Sequence, residues 1–470
     1  MKNTFKYIMM VSVGFSTLFS SCNKEFLDQK PYTNVSTADA FTTAGDMQIA
    51  LTGTYAGLRN TNLYGRTLPV FGDLLADNVF VSIANSGRYL SEKSYAIAVN
   101  DENVNDIWSN AYTVILRANN IIDATLNNGT AVKQYKGEAY AIRALLYFDL
   151  IRLFAKPYTD DPAASGIPLI LHLDHTALPT RNTITEVYTQ ILADLEQAYT
   201  LMSVYNGSGT FSKYAARALE AKVNLYKGDY QKAYEQSTDV ISNSGFTLLT
   251  TADLPAYWSS ATPHDAGTKS ETLFEVVSDA VNNNGYDELG NIYVQGGASY
   301  GDLLTTKSLY DLYNTTDVRK QLILVGQRAK NGGENPAYIV NKYQNILGDF
   351  DDKKVMRLSE VYLIAAEAAA RLNNTTEALT YLNTLVAQRD AAMTYTSTGA
   401  QLLTDIENER RKELAFEGDR FFDLNRLKQD INRTSEYPTG IIKYGDTKRV
   451  LPIPQTELNV NPNITQNPGY

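Results

Sequence analysis

Alanines twelve positions apart constrain this chain more than any other feature. Ala221 and Ala233 flank a Gly228-Asp229 turn in the run Ala215-Ala216-Arg217-Ala218-Leu219-Glu220-Ala221-Lys222-Val223-Asn224-Leu225-Tyr226-Lys227-Gly228-Asp229-Tyr230-Gln231-Lys232-Ala233-Tyr234. This spacing predicts two antiparallel helices that approach closely at the small residues, with Tyr230 packing at the start of the second. The same arrangement recurs from Leu358 to Val386. There Ala366 and Ala378 are again twelve apart, and Asn373-Asn374 replaces the Gly-Asp turn. A repeated helical hairpin leaves little room for any fold that is not built on packed helices.

Three further segments carry helical periodicity. Residues 106–125 place Ile107, Trp108, Tyr112, Ile115, Ala118 and Ile122 on one side at steps of three and four. Residues 136–154 do so with Tyr140, Ala144, Tyr147, Ile151 and Phe154. Residues 185–202 form another helix, started by a capping box from Thr183 to Glu186. Aromatic residues on these helices, Trp108 among them, are read as packing. The alanine-spaced hairpins resemble tetratricopeptide repeats. Their two copies do not adjoin in sequence, so a large insertion, residues 247–349, separates them. It is rich in Gly, Asn, Ser and Tyr, with short β-like runs such as Leu273-Phe274-Glu275-Val276-Val277. Residues 60–100 have a similar texture. Long irregular segments on a rigid scaffold are where binding usually resides.

The N-terminus has the form of an export signal. Lys2 and Lys6 precede an apolar stretch over residues 7–19, which is shorter than the ~20 residues of a membrane-spanning helix. It ends in Leu18-Phe19-Ser20-Ser21-Cys22, which resembles a bacterial lipobox, although Phe19 stands where an aliphatic residue is usual. Cys22 is the only cysteine, so no intramolecular disulfide and no cysteine-based zinc site can form. Lipid attachment at Cys22 is the expected use of that thiol. Removal of residues 1–21 takes away two lysines and no acid, moving the net charge from −10 to −12. So acidic a chain argues against binding nucleic acid and against docking on anionic lipid by charge. No later segment is long and apolar enough to span a membrane.

The C-terminal quarter carries the most characteristic run: Glu409-Arg410-Arg411-Lys412-Glu413-Leu414-Ala415-Phe416-Glu417-Gly418-Asp419-Arg420-Phe421-Phe422-Asp423-Leu424-Asn425-Arg426-Leu427. The chain closes with Leu451-Pro452-Ile453-Pro454-Gln455-Thr456-Glu457-Leu458, Asn461-Pro462-Asn463 and Gln466-Asn467-Pro468-Gly469-Tyr470. With the helix around Trp108 and the one ending Tyr147-Phe148-Asp149-Leu150-Ile151-Arg152-Leu153-Phe154, these runs resemble the SusD/RagB family nearly end to end. The resemblance implies a mostly α fold, in which tetratricopeptide-like repeats form a right-handed superhelical scaffold with loop-rich and short β insertions in a single SusD-like domain. It divides the chain into a signal peptide (1–21), a lipidated tether (22–45), an N-terminal helical region (46–246), an insertion expected to bind ligand (247–349) and a C-terminal region (350–470).

The resemblance also implies a function. Such a protein is a lipid-anchored outer-membrane component facing the extracellular side. It captures a nutrient glycan, an oligo- or polysaccharide, for a SusC-like TonB-dependent transporter, and peptide uptake of the RagB type is the alternative. No cofactor and no catalysis are implied, and no Gly-x-x-x-x-Gly-Lys-Ser/Thr nucleotide loop is present. Whether calcium orders the loops stays open. Glu409, Glu413 and Glu417 interleave with Arg410, Arg411, Arg420 and Arg426, which reads as ion pairs between packed helices and not as a catalytic carboxylate pair. His172, Leu173, Asp174 and His175 lie in an irregular stretch with no third metal partner in view. Sugar recognition stacks aromatic faces on pyranose rings, and amides and carboxylates bond the hydroxyls. Candidate stacking residues must therefore lie in the loop-rich regions: Trp258, Tyr286, Tyr293 and Tyr300 in the insertion, and Tyr64 and Tyr89 in the earlier segment.

Overall fold

The computed structural model describes residues 41–470 apart from 175, 261 and 298. The signal peptide, Cys22, most of the tether and His175 lie outside the described residues.

The first helix, α1 (Ala44–Leu58), begins in a capping box: Thr43 caps Asp46 N and the Asp46 carboxylate caps Thr43 N. After α2 (Thr67–Leu74) and strand β1 (Val79–Val81), the scaffold runs through α3 (Glu102–Asp123), α4 (Thr130–Phe154), α5 (Ile184–Leu201), α6 (Lys213–Lys227) and α7 (Tyr230–Asn243). Each of α3 to α7 packs against the next. The sequence-based bounds of α3 and α4 are corrected at their starts. Asp101 caps α3 through Val104 N, and Gly129 at φ +96° turns the chain into α4, so both helices begin several residues earlier. The Thr183–Glu186 capping box of α5 is present as expected.

The insertion contains helix α8 (Leu254–Ser259) and strands β2 (Thr272–Val276), β3 (Leu303–Thr305), β4 (Ile323–Gly326) and β5 (Ala337–Val340). It returns through β6 (Lys353–Arg357) into α9 (Leu358–Arg371), α10 (Thr375–Ala387), α11 (Gly399–Glu413) and α12 (Arg420–Arg426). Among the described residues the three sheets are two-stranded and antiparallel: β1 with β3, β2 with β6 and β4 with β5. Pairing of β1 with β3 joins the two loop-rich regions. Pairing of β2 with β6 brings the insertion back to the scaffold.

The alanine-spaced hairpins share their turn chemistry. Gly228 at φ +83° and Asn373 at φ +62° occupy equivalent left-handed positions. The next residue then caps the second helix in each: Asp229 accepts from Lys232 N at 3.2 Å and Asn374 from Glu377 N at 3.3 Å. Although far apart in sequence, the units stack directly, α7 against α9. Ala221, Leu225 and Ala233 of the first share one buried cluster with Ile364 and Ala368 of the second. Only small residues let these helices approach so closely. The insertion therefore leaves and re-enters a stack that is continuous in space. Among the described residues no helix is long and apolar enough to cross a membrane.

The Glu409–Arg426 run is buried, and its ionic partners differ from those expected. Glu413 accepts from Arg319 at 3.0 Å, Arg357 at 2.8 Å and Arg389 at 3.0 Å. Glu417 binds Arg357 and Lys342, each at 2.6 Å, and Glu409 binds Arg319 at 2.8 Å as well as the nearby Lys412. Four of these partners, Arg319, Lys342, Arg357 and Arg389, lie well outside the run. The arginines within it pair with carboxylates other than these three: Arg410 with Glu360 and Asp423, Arg420 with Asp77, and Arg426 with Glu367. Apart from Glu409 with Lys412 and Asp423 with Arg426, each three residues apart, the interleaved charges pair across elements.

Gly418 in this run has a steric reason. Its φ is +90°, and a Cβ there would lie 2.6 Å from Pro69 Cα, while one on Gly72 would lie 1.8 Å from Gly418 O. The turn before α12 thus touches α2 backbone to backbone, and Gly418 N donates to the buried Asp73 carboxylate at 2.9 Å. The chain then ends in an extended run tied to the scaffold, with Leu451 N donating to Leu153 O at 2.9 Å.

Candidate ligand-binding face

The two loop-rich regions converge on one face. After α1, Asn60 accepts from Asn62 N and opens a single π-type turn over Thr61–Gly65. Gly65 is needed here, because a Cβ would lie 2.4 Å from Arg59 O and 2.6 Å from Asn284 Nδ2. Asn284 Nδ2 instead donates to Arg59 O at 2.7 Å and fastens the insertion to this turn. Arg66 spans the junction, donating to the Tyr89 hydroxyl and to the Asp287 carboxylate. A second clamp lies nearby. The buried Arg328 donates to Ala84 O at 3.0 Å and Tyr300 O at 2.8 Å, and Ile83 N donates to Glu334 Oε1 at 2.8 Å.

On this frame Tyr286 is 53 % exposed. Tyr300 is half-buried, with the Arg88 guanidinium 3.5 Å from its ring centroid. Behind the π-type turn lies a polar belt: Asn60 bonds Asn110 at 3.1 Å, and Asn62 and Asn105 bond Asp106 at 2.9 and 3.0 Å. Exposed ring edges and amide and carboxylate groups fixed in direction suit a ligand that presents C–H faces and hydroxyls.

The other four candidate rings are in the core, and their expected stacking role is corrected. Trp258 lies on α8, not in a loop. Pro255 sits in the first turn of that helix, where its missing N–H costs nothing. The indole is 3 % exposed and packs edge-on against Tyr257 at 4.9 Å and Tyr343 at 6.0 Å. Lys342 Nζ stands 4.1 Å from its ring centroid. Tyr293 is wholly buried, stacked on Tyr343 and tilted against Phe416. Tyr64 donates from its hydroxyl to Asp149 at 2.6 Å inside the core. Tyr89, at φ +58°, packs edge-on against Phe71 and accepts from Arg66. Arg66, Arg88, Asp287 and the amides complete the candidate face, and no aromatic signal marks them in the sequence. The Ser86-Gly87-Arg88 turn and the Asn-Asn-Asn-Gly run before Tyr286 were the available signals.

Among the described residues no group of three or more His, Cys, Asp or Glu side chains is placed to hold a metal ion. His172 is largely exposed and faces Asp123 at 3.0 Å. His264 is held between Asp349 at 2.7 Å and Asp352 at 2.9 Å. The Asp352 hydrogen bond, helped by Asp349, raises its pKa from 6.5 to about 9. Because the folded pKa is raised, this tether contributes fully below about pH 6.5 and is lost as pH rises through about 9. His264→Gln is therefore expected to flatten the fall of Tm between pH 6.5 and 9.5 by about 1–2 °C, read by differential scanning fluorimetry. Parallel wild-type and variant curves over that window would remove the tether from the account.

Several concavities lie elsewhere among the described residues. One of about 490 Å³ is bounded by Tyr205, Tyr214 and Phe246. One of about 380 Å³ lies between Arg181, Arg449 and the C-terminal tail.

Comparison with known proteins follows this geometry. Residues 337–470 match the model of the SusD family, and residues 25–225 match a family described as starch-binding and associating with the outer membrane. A SusD superfamily structure from Bacteroides vulgatus is 30 % identical, covering 92 % of this chain and 100 % of that one, with a TM-score of 0.83. One from Bacteroides thetaiotaomicron, also 30 % identical, covers 91 % and 100 % with the same TM-score. SusD-like protein P2 of Formosa agariphila is 29 % identical over 100 % of this chain and 99 % of its own length.

Proposed function

Because this chain belongs to the SusD superfamily, we propose that it captures a glycan at the cell surface and hands it to a SusC-like TonB-dependent transporter, anchored in the outer membrane through lipid on Cys22. The observation that carries this reading is the face around Tyr286, where two loop-rich regions are locked together to present ring edges, amides and carboxylates. A family described as starch-binding and outer-membrane-associated over residues 25–225 supports the saccharide and the location. The protein acts by binding and breaks no bond. Glu413 and Glu417, the carboxylates that most invite a hydrolytic reading, are buried and committed to arginine and lysine.

The test is affinity electrophoresis of the detergent-solubilised full chain through gels containing soluble starch, xyloglucan, mixed-linkage β-glucan or pectic galactan. Retardation by one of them is expected. Tyr286→Ala should weaken it roughly three- to ten-fold, the worth of one aromatic contact. Retention of none, with capture of a peptide mixture instead, would replace the glycan by a peptide. Transfer to a transporter predicts that the tagged chain co-purifies from membranes with a barrel protein. Recovery of the chain alone under mild extraction counts against that step.

A further inference from the structure

The concavity of about 490 Å³ lies across the molecule's helical edge, between the segment after α5, the start of α6, the end of α7 and the turn at residues 266–270. Its walls are aromatic, with Tyr205 exposed and Tyr214 and Phe246 half-buried. Tyr205 is 54 % exposed and meets Phe246 edge-on at 5.5 Å. Tyr214 forms the facing wall, braced from behind by Tyr199, whose ring lies 3.5 Å from the Arg217 guanidinium. Ser203 and Ser270 bring hydroxyls to the rim. Two lysines line the concavity: Lys269 is neutralised by Glu275 and Asp352, and the ammonium of the half-buried Lys213 lies 4.3 Å from the Tyr199 ring centroid. An aromatic trough with hydroxyls at its rim and its buried charge already paired suits an uncharged polyhydroxyl ligand better than an anion or a basic peptide.

This trough is joined to the Tyr286 face. Glu275 N donates to Ser208 O at 2.9 Å, which seats the Tyr205 segment on strand β2. The chain leaving β2 then runs past Arg59, which donates to Val277 O at 2.9 Å, and through the exposed Val281 and Asn282 into Tyr286. We infer that the trough walled by Tyr205, Tyr214 and Phe246 is a second saccharide site, and that a polysaccharide engages it together with the Tyr286 face. This rests on the glycan reading proposed above and adds to it a length requirement. A chain long enough to reach both sites gains from their linkage, whereas a short oligosaccharide occupies one at a time.

Tyr205 is exposed and supports little of the fold, so Tyr205→Ala separates binding from stability. Its Tm should match that of the wild type. The probes are whichever of the four polysaccharides retards the wild type most, in affinity electrophoresis, and the trisaccharide of the same linkage, in calorimetry at saturating protein. Tyr205→Ala should weaken polymer retention roughly ten-fold, and should reduce the trisaccharide stoichiometry from two towards one. Tyr286→Ala, by contrast, leaves the trough's share of trisaccharide binding intact. Unchanged polymer retention in Tyr205→Ala, or a wild-type stoichiometry of one, overturns the second site and leaves the first standing. A wild type that binds none of the four polysaccharides overturns both.

Discussion

Glu413→Ala is expected to lower stability by about 3–5 kcal/mol, the cost of stripping one partner from a buried ionic cluster. Arg319, Arg357 and Arg389 all donate to this carboxylate, and all four side chains are at most 3 % exposed. Burial alone would push the Glu413 carboxyl up, but Arg389, Arg357 and Arg319 outweigh it and hold its pKa well below the ordinary 4.5. The sign follows. A depressed folded pKa contributes stability above about pH 4.5, and that stability is lost as pH falls through the folded value. The wild type should therefore lose stability on acidification more steeply than Glu413→Gln, which starts lower. Arg357 and Arg389 also bind Glu271, at 2.7 and 2.8 Å, so the cluster fastens the insertion to the end of α11. Loss of Glu413 should thus loosen the insertion first, read as early hydrogen exchange in residues 270–276. A urea midpoint within experimental error of the wild type would show that the cluster relaxes or hydrates at little cost.

Trp258→Ala should also be severe, at about 3–5 kcal/mol for a large aromatic removed from a core. The indole fills the space between Tyr257 and Tyr343 and is faced by three cations, Lys342, Lys354 and Arg357. Lys342 is fully buried, and that burial, partly offset by Glu417, lowers its pKa to about 8. Removal of the ring leaves these cations beside a cavity. Trp258→Phe should recover part of the loss. The informative readout pairs Tm with glycan affinity measured well below the variant's Tm. A much lowered Tm with affinity within two-fold of the wild type fits a core residue. A normal Tm with lost affinity would return Trp258 to the ligand site.

Much of the scaffold was legible in the sequence. The twelve-residue alanine spacing, the periodicity of α3 to α5 and the Thr183–Glu186 cap all report local geometry, because they set contacts within one or two turns of helix. The C-terminal run was legible as ion pairs between packed elements, but which residues pair was not. Glu413 meets Arg319 only because the insertion folds back onto the scaffold, while Arg389 reaches it from just past the end of α10. For the proposed face the sequence pointed only to regions. Residues 60–100 and the insertion do meet, held by β1 against β3, Arg66 against Asp287 and Asn284 against Arg59. Individual rings were not legible. Tyr286, Tyr293 and Tyr300 share one spacing and one composition, yet Tyr293 is wholly buried between Tyr343 and Phe416 while Tyr286 is open.

The sequence by itself thus determined the helical hairpins, their turns and the segments free to carry a ligand, since each depends on neighbours a few residues away. Tertiary structure alone decided that α7 and α9 stack across the insertion, which arginines neutralise Glu413, and which aromatics face water. Those outcomes depend on surfaces brought together from positions scores of residues apart, and a ring's burial is a property of the neighbours that cover it.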